Sequence, residues 1–432
     1  MTVTSTRRSA NHWPGLDVVP TGPRAAVSAR VAARLFAAAV DRLDVTVHVE
    51  HPQGTQTLGR GGPAMTVHRP REFYARIGRH QLIGFGEAYL TGAWDTERPE
   101  DLGAFLTVLA AELPSLVPER LQALRGLVVK RPPRRERSST RNSRDNIAHH
   151  YDLSNDLFEL FLDPSLSYSS ALFPERLLGG AARHEDLEAA QHAKIDRLLD
   201  EAGVGAGTRV LEIGSGWGEL AIRAARRGAT VRTITLSVAQ KALADERIAA
   251  AGMSDRVSVE LCDYREVGRT GETYDAVVSV EMIEAVGWQY WQTYFETIDA
   301  VLAPGGSVAI QAITMPHDRM LATRNTYTWI NKYIFPGGFL PSVQVLDEIT
   351  RDHTGLRIVG REPLGQHYAE TLRLWGQAFL ADSGPVLDLG FDETFLRMWH
   401  FYLEYSRAGF AAGYLDVNQL TFRRPAAALA DD

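Results

Sequence analysis

A single cysteine, Cys262, is the only thiol in this 432-residue chain, which excludes a disulfide framework and a cysteine-rich metal site. Long apolar runs are missing as well. No window reaches the roughly 18 apolar residues of a membrane span, and residues 1–30 lack the continuous apolar stretch of a signal peptide. These absences predict a soluble, cytoplasmic protein. Basic charge is in short supply, with 46 Lys and Arg against 53 Asp and Glu, and the net charge of −7 argues against general nucleic-acid binding. Repeats and low-complexity segments are absent too. At 45% hydrophobic residues, a chain of this length can bury a large core and is expected to hold two domains.

The most informative segment present is 208–218, Thr-Arg-Val-Leu-Glu-Ile-Gly-Ser-Gly-Trp-Gly. An apolar strand runs into a turn at Gly214, Gly216 and Gly218, where side chains would block the close approach of backbone to a nucleotide-like ligand. The Gly-x-Gly-x-Gly spacing departs from the Gly-x-Gly-x-x-Gly dinucleotide fingerprint and points to S-adenosylmethionine (SAM) rather than NAD. A plain strand-to-helix turn is the alternative. Beyond it the pattern predicts strands at 208–213, 230–236, 257–262, 274–280 and 307–313, with helices near 217–227, 238–251 and 289–302. That alternation implies an α/β fold with a doubly wound, Rossmann-like parallel sheet. Ligands collect at the carboxyl ends of such strands. There stand Gly214–Gly218, Thr235-Leu236-Ser237, Asp263-Tyr264 and Glu281–Glu284, so one rim is the expected site. Ser237 and Asp263 also read as helix N-caps.

Residues 1–128 read as a small α+β domain: 26–41 have helical apolar spacing, 45–50 alternate as a strand, and 101–112 form an apolar helix. Phe85, Tyr89, Leu90 and Trp94 are expected in its core. Residues 129–144 form a basic linker. Its 130–144 stretch carries seven basic residues and two prolines against one acid, and reads as a solvated hinge, an arm on anionic lipid or a nucleic-acid contact. The rest, 145–432, is the expected catalytic domain.

Five motifs carry a resemblance: Asp145-Asn-Ile-Ala-His-His-Tyr-Asp-Leu-Ser154, Ser167-Tyr-Ser-Ser-Ala-Leu-Phe173, Leu187-Glu-Ala-Ala-Gln-His-Ala-Lys194, Thr235-Leu-Ser-Val-Ala-Gln240 and Trp329-Ile-Asn-Lys-Tyr-Ile-Phe-Pro-Gly-Gly338. Over roughly 145–425 the chain resembles the cyclopropane-fatty-acyl-phospholipid synthase family of class I SAM-dependent methyltransferases. It is nearest the actinobacterial fatty-acid C10-methyltransferase branch of tuberculostearic acid synthesis. The resemblance implies lipid-binding insertions in the catalytic domain and assigns Tyr151, Tyr168 and Ser169 to the methionine end of SAM. It assigns Gly214, Gly216 and Gly218 to backbone approach, Thr235 and Gln240 to the ribose side, and Asp263 with Tyr264 to the adenine, with Leu236 also among the cofactor-binding residues.

It also implies a substrate, an unsaturated phospholipid acyl chain, and a base, a bicarbonate held by a Cys backbone, a Glu, a His, an Ile backbone and a Tyr. Glu284, Ile313 and Tyr368 match that set, while Ser170 and Gln311 replace the Cys and the His. Gln311 cannot become cationic, which weakens the case for an anion. Glu281, three residues before Glu284, is the alternative, a base supplied by the protein itself. An alkene attacking a sulfonium methyl needs a dry pocket and leaves a carbocation that aromatic faces stabilise. Trp288, Tyr290, Trp291, Tyr294, Phe295, Tyr327, Trp329, Tyr333 and Phe335 are candidates, and 366–380 with 395–414 could line the acyl slot. Closure to a cyclopropane and a hydride shift to a 10-methylene chain, later reduced by a flavoprotein reductase, both remain open, and the nearer branch favours the methylene. The expected setting is an anionic membrane surface, with the enzyme a peripheral homodimer. A methyltransferase of a small soluble metabolite is a further alternative. No metal is expected, since His149 and His150 lack a third ligand.

Overall fold

Proline opens the first two helices, α1 (Pro23–Val40) and α2 (Pro70–His80), where its missing N–H leaves no helical bond unmade. The computed structural model describes residue 13 and residues 15–116 and 154–425. Tyr151, His149, His150 and the basic stretch 129–144 lie outside them. Phe36 of α1 meets Phe73 of α2 edge-on at 5.1 Å. Strands β1 (Thr46–His51), β2 (Gly54–Gly59), β3 (Ala64–Val67) and β4 (Trp94–Thr96) form a sheet in the order β2-β1-β3-β4. Next come α3 (Leu82–Leu90) and α4 (Leu102–Leu116). Every residue of α3 from Ile83 to Leu90 is buried, and two glycines make this possible. A Cβ at Gly84 would lie 2.1 Å from the Arg76 carbonyl oxygen, and one at Gly86 would lie 2.6 Å from the Trp329 ring. Phe85, Tyr89, Leu90 and Trp94 are core, as their composition predicts.

A second unit holds the larger sheet. Its strands β5 (Arg209–Ile213), β6 (Thr230–Thr235), β7 (Val257–Leu261), β8 (Tyr274–Val280) and β9 (Leu302–Thr314) pair in parallel in the order β9-β8-β5-β6-β7. Helices α5 (Leu187–Glu201), α6 (Glu219–Arg226), α7 (Val238–Ala250), α8 (Trp291–Val301) and α9 (Val343–His353) supply the cover. Alternate residues of a strand feed different cores. Val210, Ala276 and Val278 pack with Leu198, Leu220 and Ile248, whereas Leu211 and Val277 pack with Tyr294, Phe295 and Leu346. A slip of one residue would send each set to the wrong face, at about 1.5–3 kcal/mol per large side chain.

The parallel-sheet expectation needs a correction, because two further strands extend this sheet. β10 (Arg357–Pro363) and β11 (Asp416–Arg423) follow β9 in the order β10-β11-β9, with β11 antiparallel to both neighbours. β11 escapes hydropathy reading because it buries polar residues, Asn418, Gln419 and Thr421.

The chain also divides differently from a break at 128–145. Residues 327–334 and 372–414 cluster with the N-terminal residues, so α10 (Gly365–Ala381) begins in the second unit and ends in the first, to which all of α11 (Glu393–Ala411) belongs. Within the first unit, Phe401 of α11 packs 5.3 Å from Tyr89 and 4.8 Å from Trp329. The buried Glu87 carboxylate accepts from Lys332 and from the Tyr333 hydroxyl at 3.2 Å. These partners lie hundreds of residues apart, beyond the reach of any local pattern. Among the described residues, no helix is long and apolar enough to cross a membrane.

Candidate active site

At the carboxyl ends of β5, β6, β7 and β8 lies a cavity lined by Tyr168, Ser169, Gly214, Gly216, Thr235, Leu236, Gln240, Tyr264 and Glu281, all singled out from the sequence. The three glycines of the turn do different things. All have positive φ, 99°, 50° and 92° for Gly214, Gly216 and Gly218, a region that favours glycine. A Cβ at Gly214 would strike Met282 at 2.5 Å, and one at Gly218 would press on Ala244 of α7 at 3.3 Å, so these two serve packing. Only Gly216 faces open space. Thr235 donates to Gln240 Oε1 at 3.0 Å, and Ser237 caps α7 through Gln240 N. Asp263 does not line the cavity: its Oδ1 accepts from the Arg265 backbone at 3.0 Å and from the Arg265 Nε at 2.8 Å. It is an N-cap, and Tyr264 alone of that pair reaches the cavity.

Beside the cavity sits a carboxylate cradle. Glu281, the residue after β8, has a φ of 50°, a strained value for a side chain larger than glycine's that is often found at functional sites. Its Oε1 accepts from the Ser170 backbone N–H at 2.9 Å and from Gln311 Nε2 at 2.9 Å, and its Oε2 accepts from the Tyr368 hydroxyl at 2.9 Å. Glu284 Oε1 accepts from the Ile313 N–H, while its Oε2 is buried with no hydrogen-bond partner. The donors that the resemblance gives to a bicarbonate are therefore engaged by two glutamates. Burial raises both carboxyl pKa values, but the pair separates. Glu284, which has burial and the nearby Glu281 charge against it, is pushed up to about 8. Glu281 is also raised by burial, opposed by its three donors and by Lys194. Neighbouring acids of unequal environment divide into a proton holder and a charge holder. Three donors and the Lys194 ammonium favour the charged form of Glu281, whereas Glu284, with a single donor and the Glu281 charge beside it, favours its proton.

The aromatic candidates sort by packing. Trp291, Tyr294 and Phe295 are core, and Tyr294 donates to Ser279 at 2.9 Å. Tyr327, Trp329 and Tyr333 belong to the other unit.

Residues 138–420 match the family model for mycolic acid cyclopropane synthetase. The chain belongs to that family. It is 52% identical over 415 residues, 96% of either chain, to the tuberculostearic acid methyltransferase UfaA1 of Mycobacterium tuberculosis. It is 31% identical over 377 residues to the cyclopropane-fatty-acyl-phospholipid synthase of Escherichia coli, covering 85% of this chain and 92% of that one. A solved mycolic acid cyclopropane synthase, CmaA1 complexed with SAH and CTAB, superposes with a TM-score of 0.58 at 31% identity, over 65% of this chain and 97% of that one. The protein is a Rossmann-like, SAM-dependent methyltransferase.

Membership in the family draws attention to residues that the sequence reading left without a role. Lys194, fully buried on α5, donates to Ser169 Oγ at 2.6 Å, and Gln191, one turn earlier, donates to the Ser169 carbonyl at 2.9 Å. They clamp the cavity-lining loop from below. Glu212, also buried, lines the same cavity from β5. Gln419 of β11 donates to Gln311 Oε1 at 3.1 Å, which leaves the Gln311 amide pointing at Glu281. A charged residue inside an apolar strand and two polar residues three apart on a helix were the available signals.

These buried charges predict a pH dependence of stability. Burial pushes Glu212 and Glu284 up to about 8 from an ordinary 4.5. Between those values the unfolded chain has released protons that the folded one still holds, so stability falls as pH rises from about 4.5 to 8. Lys194, pushed down to about 8 by burial, acts in the opposite sense above that. Thermal melts should give a lower Tm at pH 8 than at pH 5.5, with a flatter profile for Glu212→Gln. An unchanged slope in that variant would refute the assignment.

Proposed function

We propose that the protein transfers the methyl group of SAM to the double bond of an unsaturated fatty acyl chain of a phospholipid, giving a 10-methylene chain. The relationship to UfaA1 across 96% of the chain carries the substrate class. The cradle around Glu281 carries the chemistry. Bound at the glycine rim, SAM would supply an electrophilic methyl whose transfer to the alkene leaves a carbocation on the chain. Backbone at Gly216, with open space beside it, and the side chains of Tyr168, Thr235, Gln240 and Tyr264, which line the cavity, fit the cofactor.

Bicarbonate fits poorly, because the Ser170 N–H, the Tyr368 hydroxyl and the Ile313 N–H already have carboxylate acceptors. Glu281 is the better base. Its carboxylate takes one proton from the methylated chain after a hydride shift, the C–H pair becomes the new C=C bond, and the carboxyl then returns its proton to solvent. Gln311, oriented by Gln419, and Tyr368 hold the carboxylate in place and favour its charged form. A separate flavoprotein reductase is the class of enzyme that would reduce the product to a methyl branch, and a peripheral, dimeric enzyme at the membrane fits a substrate that stays in the bilayer.

Labelled SAM and monounsaturated phospholipid vesicles test this reading. Label should enter acyl chains that gain one carbon as an exocyclic methylene, and turnover should survive exhaustive bicarbonate removal. A cyclopropane ring, label confined to soluble metabolites, or loss of turnover without bicarbonate would each overturn the corresponding part.

A further inference from the structure

We propose that α1 is a surface-docking helix that lies flat on an anionic lipid bilayer. Its inner side is anchored: Ala32 and Val40 are buried, and Phe36 packs against Phe73 and Tyr74. Its outer side is apolar where a solvated helix would be polar. Val27, Val31 and Leu35 are 59%, 51% and 62% exposed, and they follow one another at intervals of four, on a single stripe. Exposed Ala38 continues the stripe. Val18, just before the helix, is 69% exposed.

Charge selects the occupant. The helix has no acidic residue, and its charges are Arg24, Arg30 and Arg34, all exposed and with no ion pair or side-chain hydrogen bond to another of the described residues. At 100° per residue, Arg30 and Arg34 flank the apolar stripe on one side and Arg24 marks its start. Long basic side chains beside an apolar stripe suit a headgroup layer, where aliphatic groups enter the acyl boundary and guanidinium groups remain among phosphates. A second copy fits less well. A two-fold interface on this stripe would set arginine against arginine with no acid on the helix to neutralise them. Three aliphatic side chains alone bind a membrane weakly, so affinity should depend on the arginines and therefore on salt.

The docking surface rests on a bilayer-resident substrate, but its first test needs no turnover. Full-length protein is floated with vesicles of phosphatidylcholine containing about one-third phosphatidylglycerol, without SAM. Replacing Val27, Val31 and Leu35 together by Ser should weaken binding at least tenfold while the thermal melt and sedimentation coefficient stay those of the parent. Arg24, Arg30 and Arg34 changed to Gln should weaken it at low salt and approach the parent at high salt. The Ser variant should also lose methyl transfer to vesicles and keep it on detergent-dispersed substrate. Binding within twofold of the parent, a shift in oligomeric state, or loss only when Arg134, Arg135 and Arg137 are neutralised would overturn the proposal. Absence of transfer on any substrate would instead count against the proposed reaction.

Discussion

Glu281→Gln should lower kcat by about 10²–10⁴-fold, the range expected for loss of a positioned base, with the SAM Kd nearly unchanged. The replacement is close to isosteric. Its amide oxygen can accept from Ser170 N–H and Gln311 at the position of Oε1, and the Tyr368 hydroxyl can turn to accept from the new NH₂ at the position of Oε2. Only proton acceptance is lost. Glu284→Gln gives the contrasting result. Glu284 is protonated up to about pH 8, so an amide mimics its working form and kcat near neutrality should change by less than about tenfold. Single-turnover methyl transfer with each variant, read at pH 7, separates them. If the Glu284 variant is the dead one, the assignment of the base is wrong.

Lys194→Met has the second-largest expected effect, and it acts through pH. The ammonium stands under Ser169 at 2.6 Å and opposes the rise of the Glu281 pKa, while burial alone would raise it further. Removing the ammonium moves the Glu281 pKa upward, so the acid limb of the kcat profile shifts to higher pH. A shift of one unit corresponds to about 1.4 kcal/mol and roughly tenfold lower kcat on the acid side. Activity should return at high pH, which a merely structural defect would not allow. Equal loss at pH 7 and pH 9 would remove Lys194 from the role of positioning residue. Lys194→Arg offers no rescue, since a planar fork does not fit a buried site built around one short contact.

Much of this was legible beforehand because the central sheet obeys simple rules. Apolar strands joined to capped helices declare themselves, and the polar clusters at their ends fall on one rim. The glycine turn was legible as a site, but not as three separate demands, because Met282 and Ala244 come from other elements. Asp263 looks the same in sequence whether it faces an adenine or caps a helix, and Arg265 decides. The filled cradle was half visible: Glu281 stood out as an alternative base, but only folding brings Ser170, Gln311 and Tyr368 onto its carboxylate from three distant segments. The last strand of the larger sheet and the make-up of the first unit were hidden most. Buried amides disguise β11, and the division of the chain into units depends on aromatic contacts between residues such as Tyr89 and Phe401.

The path of α10 has a consequence for how such a protein can be built or pruned. Its first turns deliver Tyr368 to Glu281, and the segment that follows returns to pack with the amino-terminal residues. The leading portion is thus no detachable accessory. Expressing 145–432 alone would strip Phe401 of Tyr89 and Trp329 of the close-packed Gly86 and leave a greasy scar, so the front of the chain and these distant aromatics fold as one core.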